Sequence, residues 1–182
     1  MQATVPGNTV DAVVWTLRRP AARVVLLDRS GAVFLISASD PADATKPAWW
    51  EIPGGGMARG EDSASAARRE LHEEAGFSDV EIGPCIWTQY VEFDFGGLHF
   101  CSDERIHVAW CDGGEWAPRH LESLEAQAFS GARWWGLDDL MASDEPVLPV
   151  RLREFLAPVV AGDLPTEPID ISPPLDASVD DG

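Results

Sequence analysis

In the first half of the chain the apolar positions fall into short runs, each bounded by turn-forming residues. Residues 23–28 (RVVLLD) and 32–37 (AVFLIS) are two such runs, joined by Arg29-Ser30-Gly31, and predict a β-hairpin or two adjacent strands. Residues 40–47 are polar with two prolines and read as a loop, and residues 49–53 (WWEIP) read as a short strand that stops at Gly54-Gly55-Gly56. Residues 63–75 then change period. They are rich in Ala, Arg, Glu and Leu, and Gly76 follows as a stop, so a helix is predicted there. Strands are expected at 80–82, 86–95, 98–111 and 132–135, with imperfect alternation over 99–111 pointing to a bulge or a sheet edge. A helical turn at 137–142 and a helix over about 147–161 complete the pattern, and no internal repeat is visible.

The length of 182 residues suits one domain, expected over 1–162, followed by a tail over 163–182. That tail has no Lys or Arg, several prolines and many aspartates, a composition that favours solvation. No apolar run approaches the ~20 residues of a membrane span, and the N-terminus does not read as a secretory signal. Cys85, Cys101 and Cys111 are odd in number and lack CxxC spacing, so neither a disulfide framework nor a zinc site is expected, and a cytoplasmic compartment fits. The formal net charge of −18 disfavours nucleic acid and anionic membranes as partners. A small phosphorylated substrate meets the same repulsion unless arginines or a divalent metal intervene.

The acids are concentrated where such a metal would sit. On a helix advancing about 100° per residue, Glu70, Glu73 and Glu74 share one face, with Ala64, Ala67 and Leu71 on an adjacent stripe suited to packing on a sheet. Like charges at these spacings each cost a few tenths of a kcal/mol on an exposed helix. The sign reverses if the carboxylates ligate a hard cation such as Mg²⁺, which prefers oxygen ligands and keeps waters able to bridge to phosphates. The bland reading is a solvated acidic face. It weakens once the flanking residues are included.

Residues 55–77 read GGMARGEDSASAARRELHEEAGF. Gly55, Glu61, Arg69, Glu70, Leu71, Glu73, Glu74, Gly76 and Phe77 resemble, without a gap, the Nudix box G-x5-E-x7-R-E-U-x-E-E-x-G-U, where U is a bulky apolar residue. A chance match of the fixed positions at a given start has a probability on the order of 10⁻⁸ to 10⁻⁹. The lead-in WEIPGGG and the later Arg133-Trp134-Trp135 followed by Gly136-Leu137-Asp138-Asp139-Leu140 are similar to family flanks. The resemblance implies an α/β fold, an α/β/α sandwich with a central mixed β-sheet. It implies Mg²⁺ or Mn²⁺ held by Glu70, Glu73 and Glu74 with the backbone carbonyl of Gly54. Gly55, Glu61, Arg69 and Gly76 would support the site, Arg69 by orienting the glutamates. The implied reaction is hydrolysis of the diphosphate linkage of a nucleoside diphosphate derivative such as ADP-ribose, a dinucleotide or a (d)NTP. The alternative is a catalytically silent Nudix-like module that binds nucleotide; homodimerisation is left open.

Proton transfer in this family often involves a box glutamate, here Glu73 or Glu74, or a further glutamate from a later loop. Glu125 ranks ahead of Glu122 because it lies nearer the Arg-Trp-Trp strand; Glu115, Glu92 and Glu104 follow. Trp49, Trp87 and Trp116 are candidates for base stacking, and Arg18, Arg19, Arg23, Arg105 and His107 for phosphate or ribose. Each is more often a packing residue or a surface charge. No pattern selects a substrate.

Overall fold

A computed structural model of the chain describes residues 15–174. The centre of its sheet is β1 (Thr16–Leu27), which lies parallel to β6 (Leu98–Trp110) along its whole length, from Thr16 opposite His99 to Leu27 opposite Trp110. Its C-terminal end pairs antiparallel with β2 (Val33–Ala38) through the turn at Gly31. Its middle pairs with β4 (Gly54–Gly56), so the three glycines form a strand where the sequence suggested only a turn. β3 (Trp49–Glu51) and β7 (Phe129–Trp135) join β2, while β5 (Ile82–Phe95) joins β6. With β8 (Val147–Leu148) and β9 (Ile169–Asp170) at its edges, the main path of the mixed sheet runs β8-β3-β2-β1-β6-β5-β9.

Alternation along β1 and β2 sorts the core into two layers. Val25, Leu27, Val33 and Leu35 face α3 (Leu137–Ala142) and α4 (Leu152–Val160), packing with Leu140, Leu152 and Leu156. Val24, Leu26, Phe34 and Ile36 face α1 (Ser63–Glu70), packing with Ala66, Ala67 and Leu71. Each fully buried Val, Leu, Ile or Phe stabilises the fold by about 1.5–3 kcal/mol. The result is an α/β/α sandwich around a mixed sheet.

Several boundaries differ from the sequence reading, each for a physical reason. β1 begins at Thr16 rather than Arg23 because β6 supplies a full ladder, although residues 16–18 are exposed and carry no hydrophobic signature. The bulging expected in 99–111 lies on the partner strand instead, where β5 shifts register between Ile82 and Trp87. The expected helix over 147–161 is β8 (Val147–Leu148) followed by α4, since Pro149 disfavours helix at the residue before it. Residues 163–174, expected as solvated tail, include β9 (Ile169–Asp170), which pairs parallel with β5, and Ile171, which is fully buried. Ile171 and the half-buried Leu164 pack on the core, and the Ile171 N–H donates to Thr88 O at 2.8 Å, which docks the stretch despite its acidic composition. The remainder of that stretch, 175–182, lies outside the described residues.

Candidate active site

The box helix is started and stopped by side-chain and glycine chemistry. Asp62 caps α1 by accepting from the N–H groups of Ala64 and Ser65 at 3.1 and 3.0 Å. From Leu71 to Ala75 the helix widens into a π turn, which closes on Gly76 in the left-handed conformation, φ 87°. A Cβ on Gly76 would lie 2.1 Å from the Ala117 carbonyl oxygen, so the position requires glycine twice over. π turns are rare and concentrate at functional sites. Phe77, the last residue of the box, packs edge-on against Phe34 and Trp134 and fixes the exit.

The last carbonyls of the helix need partners, and a later loop supplies them. The Trp116 indole N–H donates to Glu74 O at 2.8 Å, Ala117 N to Ala75 O at 3.1 Å, and Arg119 N to Glu73 O at 2.8 Å. This loop leads into the short helix α2 (Glu125–Ala128), so tethering it to the π turn brings Glu125 to the box. Ligand oxygens of Glu70, Glu74 and Glu125 all lie within 4.8 Å of one another. Glu122 does not join them; its side chain is exposed, and its backbone N–H donates to Glu125 Oε2 at 2.7 Å.

Glu73 turns the other way, towards Arg69. The Arg69 guanidinium donates to both oxygens of Glu61 at 3.0 Å, to Glu70 at 2.8 Å, to Glu73 at 3.1 Å and to the Gly56 carbonyl at 3.0 Å. It therefore ties the loop, β4 and the helix into one unit, and its hydrogen bonds to Glu61 hold that carboxyl below the usual range. Gly54 donates its N–H to Glu74 Oε2 at 2.7 Å, while its carbonyl accepts from Arg23 Nη1 at 3.3 Å. A Cβ on Gly55 would approach Glu70 Oε1 to 2.9 Å. Close passage of β4 beneath the carboxylates is what the glycines permit.

Burial pushes the Glu74 carboxyl well above the usual carboxylate range, and the neighbouring Glu125, Glu70 and Glu51 push in the same direction. Glu70 and Glu125 are also raised, chiefly by burial, with Arg69 opposing the shift at Glu70. Three acids thus face one another with too little positive charge between them.

Beside them runs a buried ionic group that the sequence reading did not assemble. Arg23 donates to Glu104 at 2.9 Å, Gln89 Nε2 donates to the same carboxylate at 2.6 Å, and Glu51, raised by burial, lies close by. Burial alone would lower the Arg23 pKa, but Glu104 and Glu51 outweigh it and hold the guanidinium charged. Arg23 reaches Glu104 through the parallel β1–β6 register and Gln89 reaches it through the antiparallel β5–β6 register, so no local motif marks the three. Arg19, over the Phe100 ring at 5.0 Å, leaves its buried Nε without a partner and interacts with Glu70 and Glu122.

The remaining candidates fall elsewhere. Trp87 is 1% exposed, in the core, and cannot stack on a base. Trp116 is occupied by its hydrogen bond to Glu74 O, and Trp49 donates to Glu51. His107 bridges Gly83 O and Ser63 Oγ, both at 2.9 Å, which makes it a brace between β5 and the start of α1. Glu104 is committed to Arg23, Glu115, Arg18 and Arg105 are exposed, and Glu92 lies in the β5–β6 hairpin.

With this geometry in view, the NUDIX domain description matches residues 17–158. The chain belongs to the Nudix family. It is a Nudix hydrolase, an enzyme of phosphoric anhydride bonds, and such hydrolases generally use divalent metal ions. It is 30% identical over 152 residues to an RNA pyrophosphohydrolase of Caulobacter vibrioides, covering 79% of this chain and 84% of that protein. In fold it resembles the crystal structure of an ADP-ribose pyrophosphatase from Streptococcus suis, with TM-score 0.55, 18% identity, and coverage of 84% of this chain and 97% of that one. An Ap4A hydrolase of C. elegans in a binary complex matches with TM-score 0.52 and 19% identity, covering 79% and 98%. At those identities the two Nudix structures speak for the fold alone. Among the described residues no helix is long and apolar enough to cross a membrane.

Proposed function

We propose that this Nudix hydrolase cleaves the diphosphate linkage of a small nucleoside diphosphate derivative, with Mg²⁺ or Mn²⁺ held by Glu70 and Glu74 and with Glu125 beside the metal. The observation that carries the reading is the convergence of these three carboxylates within 4.8 Å, two of them buried and all three with raised pKa. Left to themselves they repel. The donor set is all oxygen, which fits a hard divalent cation. Bound there, the cation would polarise a phosphoryl oxygen and offset the negative charge of the phosphates.

The protein's own groups divide the remaining work. Arg69 holds Glu70 and Glu73 and fixes the helix against β4, so that the carboxylates need little reorganisation. Gly54 presents its N–H to Glu74 and orients that carboxylate; its carbonyl accepts one hydrogen bond from Arg23 and keeps a second lone pair for a metal. Glu125 comes from outside the helix on a tethered loop, and its raised pKa suits it to accept a proton from the attacking water. Glu73 and Glu122 serve around this centre, Glu73 through Arg69 and Glu122 through its backbone hydrogen bond to Glu125. Arg19, with an unpartnered buried nitrogen at the edge of the site, is suited to a substrate phosphate.

ADP-ribose, a dinucleotide or a (d)NTP each offers the required linkage. The net charge of −18 favours such small substrates over long polyanions. The Caulobacter relative is named for RNA, so an oligonucleotide 5′-triphosphate belongs in the same test. A screen of these substrates with Mg²⁺ and with Mn²⁺ decides it: turnover of at least one small diphosphate, abolished by EDTA, supports the reading. Turnover of the oligonucleotide alone would refute the small-substrate assignment, and no loss with EDTA would refute the metal. A cytoplasmic setting accords with three free cysteines.

A further inference from the structure

A second group of metal-ligating side chains stands outside the catalytic centre, at the far end of the β5–β6 hairpin. The hairpin turns through Gly96-Gly97, both at positive φ (60° and 80°), a two-residue turn that sets the strand register without slack. That register puts Glu92 directly opposite Cys101 and Asp94 directly opposite His99. Side chains two apart on a strand share a face, so Glu92, His99 and Cys101 converge. Their ligand atoms lie within 4.8 Å of one another, with His99 Nε2 and Glu92 Oε2 3.8 Å apart.

From this we infer that Glu92, His99 and Cys101 form a binding site for Zn²⁺, distinct in chemistry from the all-oxygen glutamate centre. The donor set, one oxygen, one nitrogen and one sulfur, is that of a borderline-soft ion and not of Mg²⁺. The second layer has the arrangement found around metal-bound histidines. Asp94 Oδ1 lies 2.7 Å from His99 Nδ1, which fixes the ring and leaves Nε2 as the ligating atom. Tyr90 donates its hydroxyl to Glu92 and holds that carboxylate from the other side. A thiolate and a carboxylate around Zn²⁺ with neutral imidazole sum to zero charge, so a half-buried position carries no uncompensated ion. Cys101 itself is 4% exposed, and it lines a shallow open cavity with Arg18, Arg19, Pro20, Tyr90 and Asp103. Three ligands leave a fourth tetrahedral position for water. Sequence spacing conceals the site, because the ligands meet through cross-strand pairing and not through a CxxC or HxxxH motif.

The bland alternative is a charge cluster in which His99 merely bridges Glu92 and Asp94. Titration of the metal-free 182-residue chain with Co²⁺, as a spectroscopic substitute for Zn²⁺, separates the two. The site predicts one equivalent of Co²⁺ showing a thiolate-to-metal charge-transfer band and the visible bands of tetrahedral cobalt, both displaced by Zn²⁺. Cys101→Ser should abolish the charge-transfer band, and Asp94→Asn, a surface change that spares the core, should weaken Zn²⁺ binding about tenfold. Glu74→Gln should leave the band intact, which keeps this result independent of the catalytic assignment. Absence of a thiolate band with stoichiometric Co²⁺ overturns the proposal. So does a band that survives Cys101→Ser, which would place the sulfur at Cys85 or Cys111, or unchanged Zn²⁺ affinity in Asp94→Asn.

Discussion

Glu74→Gln should stabilise the metal-free protein while removing its response to metal. Glu74 is 2% exposed and stands within 4.8 Å of the Glu70 and Glu125 oxygens. At that separation two carboxylates repel by roughly 3–4 kcal/mol at an effective dielectric of about 20. The wild type escapes part of this by protonating, because taking up a proton at pH 7 from an ordinary carboxyl near 4.5 costs about 3.4 kcal/mol at most. Glutamine removes the charge with almost no change of volume. It still accepts from Gly54 N–H, although the hydrogen bond, 2.7 Å in the wild type, loses its charge assistance and about 1 kcal/mol. The net expectation is a gain of about 2 kcal/mol, or roughly 4–8 °C in Tm for a chain of this size. Calorimetry in EDTA and in millimolar Mg²⁺ reads both effects. The wild type should rise with Mg²⁺, by about 2.7 kcal/mol at a hundredfold excess over Kd, and the variant should barely move. A variant that melts below the wild type in EDTA would refute the repulsion argument, and show that the Gly54 tie matters more than the charge.

Activity follows the same geometry. Glu74→Gln should lower turnover at least a hundredfold in Mg²⁺, and equal activity in a steady-state assay would remove the helix from the metal site. Glu125→Ala should lower kcat strongly with metal affinity reduced far less, whereas Glu122→Ala and Glu115→Ala, both exposed, should stay near wild type; kinetics at saturating substrate and metal separates them. Because the folded carboxyls of Glu70, Glu74 and Glu125 are raised, the metal-free native state binds more protons than the unfolded state above the usual glutamate range. Its stability should therefore fall as pH rises from about 4.5 towards those raised values and then level off, a slope that urea titrations at several pH values detect and that Glu74→Gln should flatten. Gly55→Ala should weaken metal binding by crowding Glu70 Oε1, measured by Mn²⁺ titration, with the fold retained by circular dichroism.

The contiguous part of the candidate site is legible in the sequence, whereas of the residues that arrive by tertiary contact only Glu125 stands out there. Residues 55–77 carry Glu70, Glu74, Arg69 and the glycines in fixed spacing, so the motif could be read directly. Simple helical periodicity placed Glu70, Glu73 and Glu74 together, yet the π turn and Arg69 draw Glu73 aside, and periodicity contains no sign of a π turn. Of the expected stripe, Ala67 and Leu71 are fully buried, whereas Ala64 is half-buried and Ala66, two residues on, is buried instead. Glu125 was ranked first from its nearness to β7; the reason it arrives is the capping of Glu73, Glu74 and Ala75 carbonyls by residues 116–119, which no spacing rule encodes. Arg23, Gln89 and Glu104 are ordinary polar residues in their strands until β1, β5 and β6 are set in register. Residues 163–174 show the reverse case, where a low-hydrophobicity segment docks through Leu164, Ile171 and a two-residue pairing with β5.

The most direct test of the central claim is anomalous diffraction from a crystal of the 182-residue chain soaked with Mn²⁺. A strong peak is expected at bonding distance from the carboxylate oxygens of Glu70 and Glu74, adjacent to Glu125, and absent in Glu74→Gln grown in the same way. A peak elsewhere with this cluster empty, or an equal peak in the variant, would contradict it.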